Sequence, residues 1–168
     1  LSGGPASVHE TGTPQLSHSV ATSGVPILGI CYGEQAMVAA LGGQVEGGHS
    51  REFGRAEVEI TSDSPIFEGV WEKGGKYPVW MSHGDRVTEL PPGFRVLGSA
   101  PNSPISIIGD DKRKFYATQF HLEVMHTPQG AQILSNFVRK IAQCRGDWTM
   151  RAFKDEAIEK IRRQVGKG

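Results

Sequence analysis

Val25-Pro26-Ile27-Leu28-Gly29-Ile30-Cys31-Tyr32-Gly33-Glu34-Gln35 is the stretch that decides the fold. Val25 to Ile30 is a continuous apolar run of strand length, the pattern of a strand buried on both faces of a parallel sheet. From Glu34 to Leu41 the spacing turns helical, with Gln35, Val38 and Ala39 and again Met37 and Leu41 recurring on a turn, until Gly42-Gly43 supplies a left-handed stop. Cys31 therefore lies where a buried strand becomes a helix. Gly29-Ile30-Cys31-Tyr32-Gly33 is a G-x-C-x-G across that junction, the pattern of a nucleophile elbow. The glycines are needed because a side chain two residues either side would collide with the neighbouring strand or helix, and the turn holds the thiol up and outward. The helix N-terminus is expected to lower the thiol pKa from about 8.5. A lone cysteine is more often a buried structural residue; the elbow reverses that preference.

Working outward, Ser2-Gly3-Gly4-Pro5 reads as the end of a strand followed by a turn, and residues 5–23 as a surface loop with at most a short helix. The chain is expected to lack an N-terminal strand and helix. Downstream, Ala56–Ile60 alternates with period two, and Tyr77–Met81, Phe94–Leu97 and Ile105–Ile108 are further short strands. Asp110-Asp111-Lys112-Arg113 is a turn that makes Ile105–Ile108 and Lys114–Phe120 a hairpin, with His121 delivered at its end. Thr127-Pro128 reads as a cap and first helical position, followed by an apolar stripe of Ile133, Leu134, Phe137, Val138 and Ile141 that stops near Gly146. A second amphipathic helix, with Thr149 as its cap and Phe153, Ala157, Ile158, Ile161 and Val165 on one side, ends at Gly166.

Composition narrows the function classes. The 168 residues fit one domain, and 18 Lys+Arg against 18 Asp+Glu leave no basic excess for nucleic acid. No apolar run approaches the roughly 18 residues of a membrane span. The 22 glycines, about twice the usual share of about 7%, imply tight turns and close backbone approaches. Two cysteines, Cys31 and Cys144, make no disulfide framework and fit a reducing cytoplasm, and neither they nor the six histidines form a metal-ligand pattern.

A thiolate nucleophile needs a base and a group to orient it. His121-Leu122-Glu123 offers both, since residues two apart at a strand end share a side and the carboxylate can hold the imidazole from behind. His83, in Ser82-His83-Gly84-Asp85 after another strand, is a rival base or a pocket residue. The Tyr32 amide follows the nucleophile and is one candidate oxyanion donor; the Gly3-Gly4-Pro5 turn could supply the second.

Ser2-Gly3-Gly4-Pro5, Gly29-Ile30-Cys31-Tyr32-Gly33-Glu34-Gln35 and Gln119-Phe120-His121-Leu122-Glu123-Val124, in that order, resemble the class I, triad-type glutamine amidotransferase domain over nearly the whole chain. The resemblance implies an α/β three-layer, flavodoxin-like fold with a mixed, largely parallel sheet. It implies Cys31 as nucleophile, His121 as proton shuttle and Glu123 as its orienter, with the amides of Gly4 and Tyr32 as the oxyanion hole. Gln35 and the segment around Ser82, Gly84 and Asp85 match positions that hold the amino-acid end of L-glutamine. Arg51-Glu52-Phe53-Gly54, Trp80-Met81-Ser82-His83-Gly84-Asp85, His126-Thr127 and Asp147-Trp148-Thr149 resemble the guanine-nucleotide branch of the class rather than its anthranilate, carbamoyl-phosphate or CTP-forming relatives. In that branch a following synthetase domain of the same chain uses ATP and Mg2+ to convert xanthosine monophosphate to GMP, and the full-length protein is a homodimer. The glutaminase part itself needs no cofactor or metal. On this reading residues 1–146 are the amidotransferase domain and residues 147–168 a linker helix toward the synthetase.

One departure from the family pattern concerns the site: Leu122 stands where the family has proline, which is expected to loosen the orientation of His121 and Glu123. Rival readings are an amidotransferase of another pathway, a catalytically idle docking module, and a cysteine peptidase sharing the elbow.

Overall fold

The structure is a computed structural model that describes residues 1–47, 51–146 and 150–166. The motif Asp147-Trp148-Thr149, with the expected helix cap at Thr149, lies outside them.

The apolar run becomes strand β1 (Ile27–Ile30), and helix α2 (Tyr32–Ala40) starts directly after Cys31, two residues earlier than the periodicity predicts. A four-residue helix α1 (His18–Ala21) lies in the preceding loop, capped by the Ser17 side chain. Strands β3 (Glu52–Ile60), β4 (Lys76–His83), β6 (Arg95–Ala100), β7 (Ser103–Asp110) and β8 (Phe115–Thr118) join β1 in a six-stranded sheet of order β1-β8-β7-β6-β3-β4. The β7–β8 hairpin forms as expected, with Ile108 opposite Ala117.

The sheet is mixed, but less parallel than expected. Among its named strands only the β1–β8 pairing is parallel, and the other four are antiparallel. Connectivity accounts for part of this: a parallel pair requires a crossover of a dozen or more residues, such as the long excursion from β1 to β8, whereas β6–β7 and β7–β8 are joined by short turns and fold back on one another. Leu1 adds to the parallel side: its N-terminal amine donates to Leu28 O and its carbonyl accepts from Ile30 N, so it runs along the outer edge of β1 as a strand end.

Strand alternation builds the three layers. On β8, Phe115 and Ala117 face a cluster with Met37 and Val38 of α2, while Tyr116 faces the opposite, larger core of Val58, Ile60, Leu97, Ile133 and Ile141. Two elements escape sequence reading: β2 (Gln44–Glu46) and β5 (Arg86–Glu89) form a separate two-stranded antiparallel sheet. Both are short and largely polar, so they carry no apolar period.

The helix after Thr127 also differs. Helix α3 (Gly130–Ser135) begins after Gln129, and Thr127 is not its cap, because the Thr127 hydroxyl is used elsewhere. The helix then widens to π-geometry over Asn136–Ile141, where buried Asn136 donates to the carbonyls of Ile66 and Glu68, and it ends at Ile141 rather than near Gly146. The wide turn leaves Val138 exposed, although it belongs to the predicted stripe. Helix α4 (Met150–Val165) follows, with Phe153, Ile161 and Val165 exposed and Gly166 in a left-handed conformation after it.

Candidate active site

The site begins at the end of β1. Cys31 adopts φ 53°, ψ −110°, a conformation few non-glycine residues accept. Its amide donates to Thr118 O at 2.7 Å, continuing the β1–β8 ladder by one bond and holding the strained residue in place. The flanking glycines are sterically required. A Cβ on Gly29 would stand 2.7 Å from the Gly33 carbonyl oxygen, and one on Gly33 would stand 2.5 Å from the Leu1 carbonyl oxygen.

The β1–β8 pairing that carries Cys31 also carries the histidine, because His121 lies three residues beyond Thr118. Its amide donates to Trp80 O at 3.0 Å, tying it to β4. The Thr127 hydroxyl donates to the His121 carbonyl and accepts from Trp80 N, which closes the loop over it. Leu122 is fully buried in the larger core, and a Cβ on Gly130 would collide with its carbonyl oxygen. Packing thus holds Leu122 within this loop. His121 Nδ1 lies 2.6 Å from Glu123 Oε1, which leaves Nε2 for a second partner.

Cys31, His121, Gln35, Ser82, Gly84 and Asp85 line one pocket of about 630 Å³, with Gly4 at its edge. A Cβ on Gly3 would sit 2.8 Å from His121 Cε1 and 3.6 Å from Cys31 Cβ, so imidazole and nucleophile flank the same point. Gly4 abuts Tyr32, whose hydroxyl donates to Pro14 O at 2.6 Å and pins the 5–17 loop over the elbow. Gln35 Nε2 donates to the Asp85 carbonyl at 2.8 Å.

His83 also reaches the pocket, with its Nδ1 in hydrogen-bond reach of the Asp85 carbonyl and its Nε2 facing Glu52. The two distances are 3.0 Å to the Asp85 carbonyl oxygen and 3.3 Å to Glu52 Oε2, with the ring almost wholly buried. It braces the Ser82–Asp85 turn. Arg51, Phe53, Ser7 and Glu10 complete the wall, and sequence reasoning gave them no role. Arg51 and Phe53 belong to the Arg51-Glu52-Phe53-Gly54 motif, so a signal existed; Ser7 and Glu10 lie in a loop without period, where none did.

The thiol departs from expectation in one respect. Rather than being lowered by the helix N-terminus, its pKa is pushed up to about 11, chiefly because burial penalises the thiolate. The Tyr32 backbone N–H opposes this, while the nearby carboxyls of Glu34 and Glu123 add to it. The resting cysteine is a thiol, and it donates to Ser82 O at 3.4 Å. Among the described residues no group of three or more His, Cys, Asp or Glu side chains is placed to hold a metal ion.

An elbow cysteine shares this pocket with a carboxylate-backed histidine, and the sequence profile of glutamine amidotransferase class-I matches residues 1–141. The chain belongs to the class I glutamine amidotransferases. It is 68% identical over 168 residues to the GMP synthase [glutamine-hydrolyzing] of Rhodopseudomonas palustris (strain BisB18), a match that covers all of this chain and 31% of the relative. It is 62% identical to the protein of the same name from Bradyrhizobium diazoefficiens, covering 30% of it. The chain thus spans about a third of the length of these relatives. Among solved structures, a GMP synthase subunit protein from Thermoplasma acidophilum superposes with a TM-score of 0.65 at 35% identity, covering 71% of this chain and 59% of that one. A glutamine amidotransferase from Thermotoga maritima gives 0.56 at 26% identity, covering 84% and 52%.

Proposed function

We propose that this domain hydrolyses L-glutamine to glutamate and ammonia through Cys31, His121 and Glu123, as the glutaminase part of a GMP synthase. The reading is carried by one observation: the strained Cys31 is bonded to the end of β8, the strand that leads to His121 and its Glu123 contact. In the reaction His121 takes the thiol proton as sulfur attacks the side-chain carboxamide carbon of glutamine. The oxyanion of the tetrahedral intermediate faces the amides of Gly4 and Tyr32. His121 returns the proton to nitrogen, the C–N bond breaks, and ammonia leaves a γ-glutamyl thioester. Water, deprotonated by His121, attacks that thioester and releases glutamate and the thiol. Glu123 holds the ring and stabilises its imidazolium form throughout.

Because the thiol is not ionised at rest, proton transfer and attack are coupled to the arrival of substrate. The pocket wall carries charges of both signs, Arg51 against Glu10 and Asp85, which suits the zwitterionic end of an amino acid. Gln35, Ser82, Gly84 and Asp85 are the residues assigned to that end.

The identity with GMP synthases over the whole chain supports the rest of the reaction. A synthetase domain, using ATP and Mg2+ to activate xanthosine monophosphate, consumes the ammonia. Residues 147–168 are read as the link to it, which the exposed Phe153, Ile161 and Val165 of α4 support. The test is Cys31→Ala in the full-length protein. Glutamine-dependent GMP formation is expected to vanish while ammonia-dependent formation persists; loss of both, or of neither, overturns the assignment.

A further inference from the structure

Beside Cys31 lies a side chain to which the mechanism above gives no task. Gln119 is completely buried, and its backbone is fixed by donation of its amide to Ser106 O at 2.9 Å. Its side-chain Nε2 points at Cys31 Sγ at 4.0 Å, the outer range of a hydrogen bond to sulfur, and its Oε1 lies 3.3 Å from Gln35 Nε2.

The direction of this chain of amides is set by chemistry. The Asp85 carbonyl oxygen can only accept, so the Gln35 atom 2.8 Å from it must be the NH2 group. That NH2 group can only donate, so the Gln119 atom facing it must be the carbonyl oxygen. The Gln119 NH2 is then the end left facing the sulfur. An acceptor on the backbone of the Ser82–Asp85 turn thereby fixes a donor at the nucleophile.

From this geometry we infer that Gln119 is a further residue of the glutaminase reaction, a hydrogen-bond donor that stabilises the Cys31 thiolate and is held in that orientation by Gln35 and the Asp85 carbonyl. The inference rests on Cys31 being the nucleophile.

The surroundings of the sulfur give the donor its purpose. In the thiol state the S–H donates to Ser82 O, a contact useless to a thiolate. Once His121 has taken the proton, the negative sulfur needs donors. Glu123 beyond β8 opposes the charge, Glu34 on α2 opposes it wherever it is ionised, and on the β4 side His83 faces Glu52 and the Asp85 carbonyl. The Tyr32 amide is one donor, but it is also assigned to the oxyanion. Gln119 supplies a donor that need not be shared. The same relay ties the thiolate to substrate binding, since Gln35 and Asp85 lie in the pocket wall.

The test is Gln119→Met, which keeps length and burial and removes the donor. Thiolate formation is followed in the full-length protein by absorbance near 240 nm, with the spectrum of the matching Cys31→Ala protein subtracted, so that probe access plays no part. The Cys31 titration should move up by about one pH unit, a tenfold smaller thiolate fraction at pH 10, as loss of a hydrogen bond to a charged group predicts. The kcat for glutamine should fall by a similar factor. A role confined to packing would lower thermal stability and leave the titration in place, and an unmoved titration in a folded variant overturns the inference. If Gln119→Met does not fold, Gln35→Met, which releases the orientation of the Gln119 amide, is read the same way and should shift the titration in the same direction. A wild-type protein that hydrolyses no glutamine defeats the functional reading while leaving the thiol titration readable, so the two fail separately.

Discussion

Gly3→Ala isolates the imidazole–sulfur geometry more cleanly than removal of either group. A Cβ at residue 3 would stand 2.8 Å from His121 Cε1 and 3.6 Å from both His121 Nδ1 and Cys31 Cβ. Two carbons rest at about 3.5–4.0 Å, so the ring must retreat by roughly 0.7 Å or more. Backbone strain does not enter, because Gly3 is not among the glycines of positive φ. The retreat is resisted by the Glu123 contact at 2.6 Å and by the tie of the His121 amide to Trp80. The imidazole is therefore displaced or tilted at fixed backbone, out of its place beside Cys31. A misplacement near 1 Å costs about a hundredfold in rate, so kcat for glutamine hydrolysis is expected to fall by about thirty- to a hundredfold. The KM should stay within about threefold, since Gln35, Ser82 and Asp85 are untouched. Steady-state glutamate release over a range of glutamine concentrations, with a thermal melt of the same sample, measures both. A variant that melts with the wild type and keeps kcat within about threefold would show that this imidazole does not take the thiol proton.

Three further expectations follow from burial. Glu34 is completely buried, neither of its oxygens has a hydrogen-bond partner among the described residues, and burial holds its pKa well above the ordinary carboxylate value. Below the unfolded pKa of about 4.5 both states carry the proton; above it the unfolded chain releases the proton while the folded one keeps it, so stability falls as pH rises, by up to about 1.4 kcal/mol per unit. Glu34→Gln should flatten that fall between pH 5 and 8, and equal slopes in urea unfolding would contradict the protonated state. Leu122→Ala removes a side chain 1% exposed in the larger core and should cost about 2–5 kcal/mol; a loss below 1 kcal/mol would mean that the His121 loop is anchored by other contacts. Without substrate, iodoacetamide at pH 7.5 should label exposed Cys144 well before Cys31, and Cys31 labelling should rise about tenfold per pH unit toward 11; faster labelling of Cys31, with a midpoint below pH 9, would show that burial does not control the thiol.

How much of this was legible beforehand follows from the range of the forces involved. Steric rules act over a few residues. Gly29, Cys31 and Gly33 announce the elbow because glycine is needed wherever a strand turns straight into a helix, and Gly42 marks the helix end for a related reason, taking φ 91° just beyond α2. Alternation on the β7–β8 hairpin and the helical period after Cys31 are equally local. The polar strands β2 and β5 left no such trace, and the π-turn at Asn136 depends on carbonyls contributed by Ile66 and Glu68, seventy and sixty-eight positions away.

The sequence alone determined which residue sits on the elbow, as the proposed nucleophile, and which carboxylate follows which histidine, because elbow sterics and i, i+2 spacing are properties of short segments. Only the tertiary structure decided the electrostatic state of that nucleophile, since desolvation depends on what packs around a group. The helix terminus beside Cys31 favours a thiolate, and burial overrides it. The structure also placed His83 between Glu52 and the Asp85 carbonyl, and His121 in front of Glu123. It gave Thr127 to the His121 loop instead of a helix cap, and it aimed the Gln119 amide through Gln35. The contacts with Glu52 and Gln35 join elements far apart in the chain, and neither has a local signature.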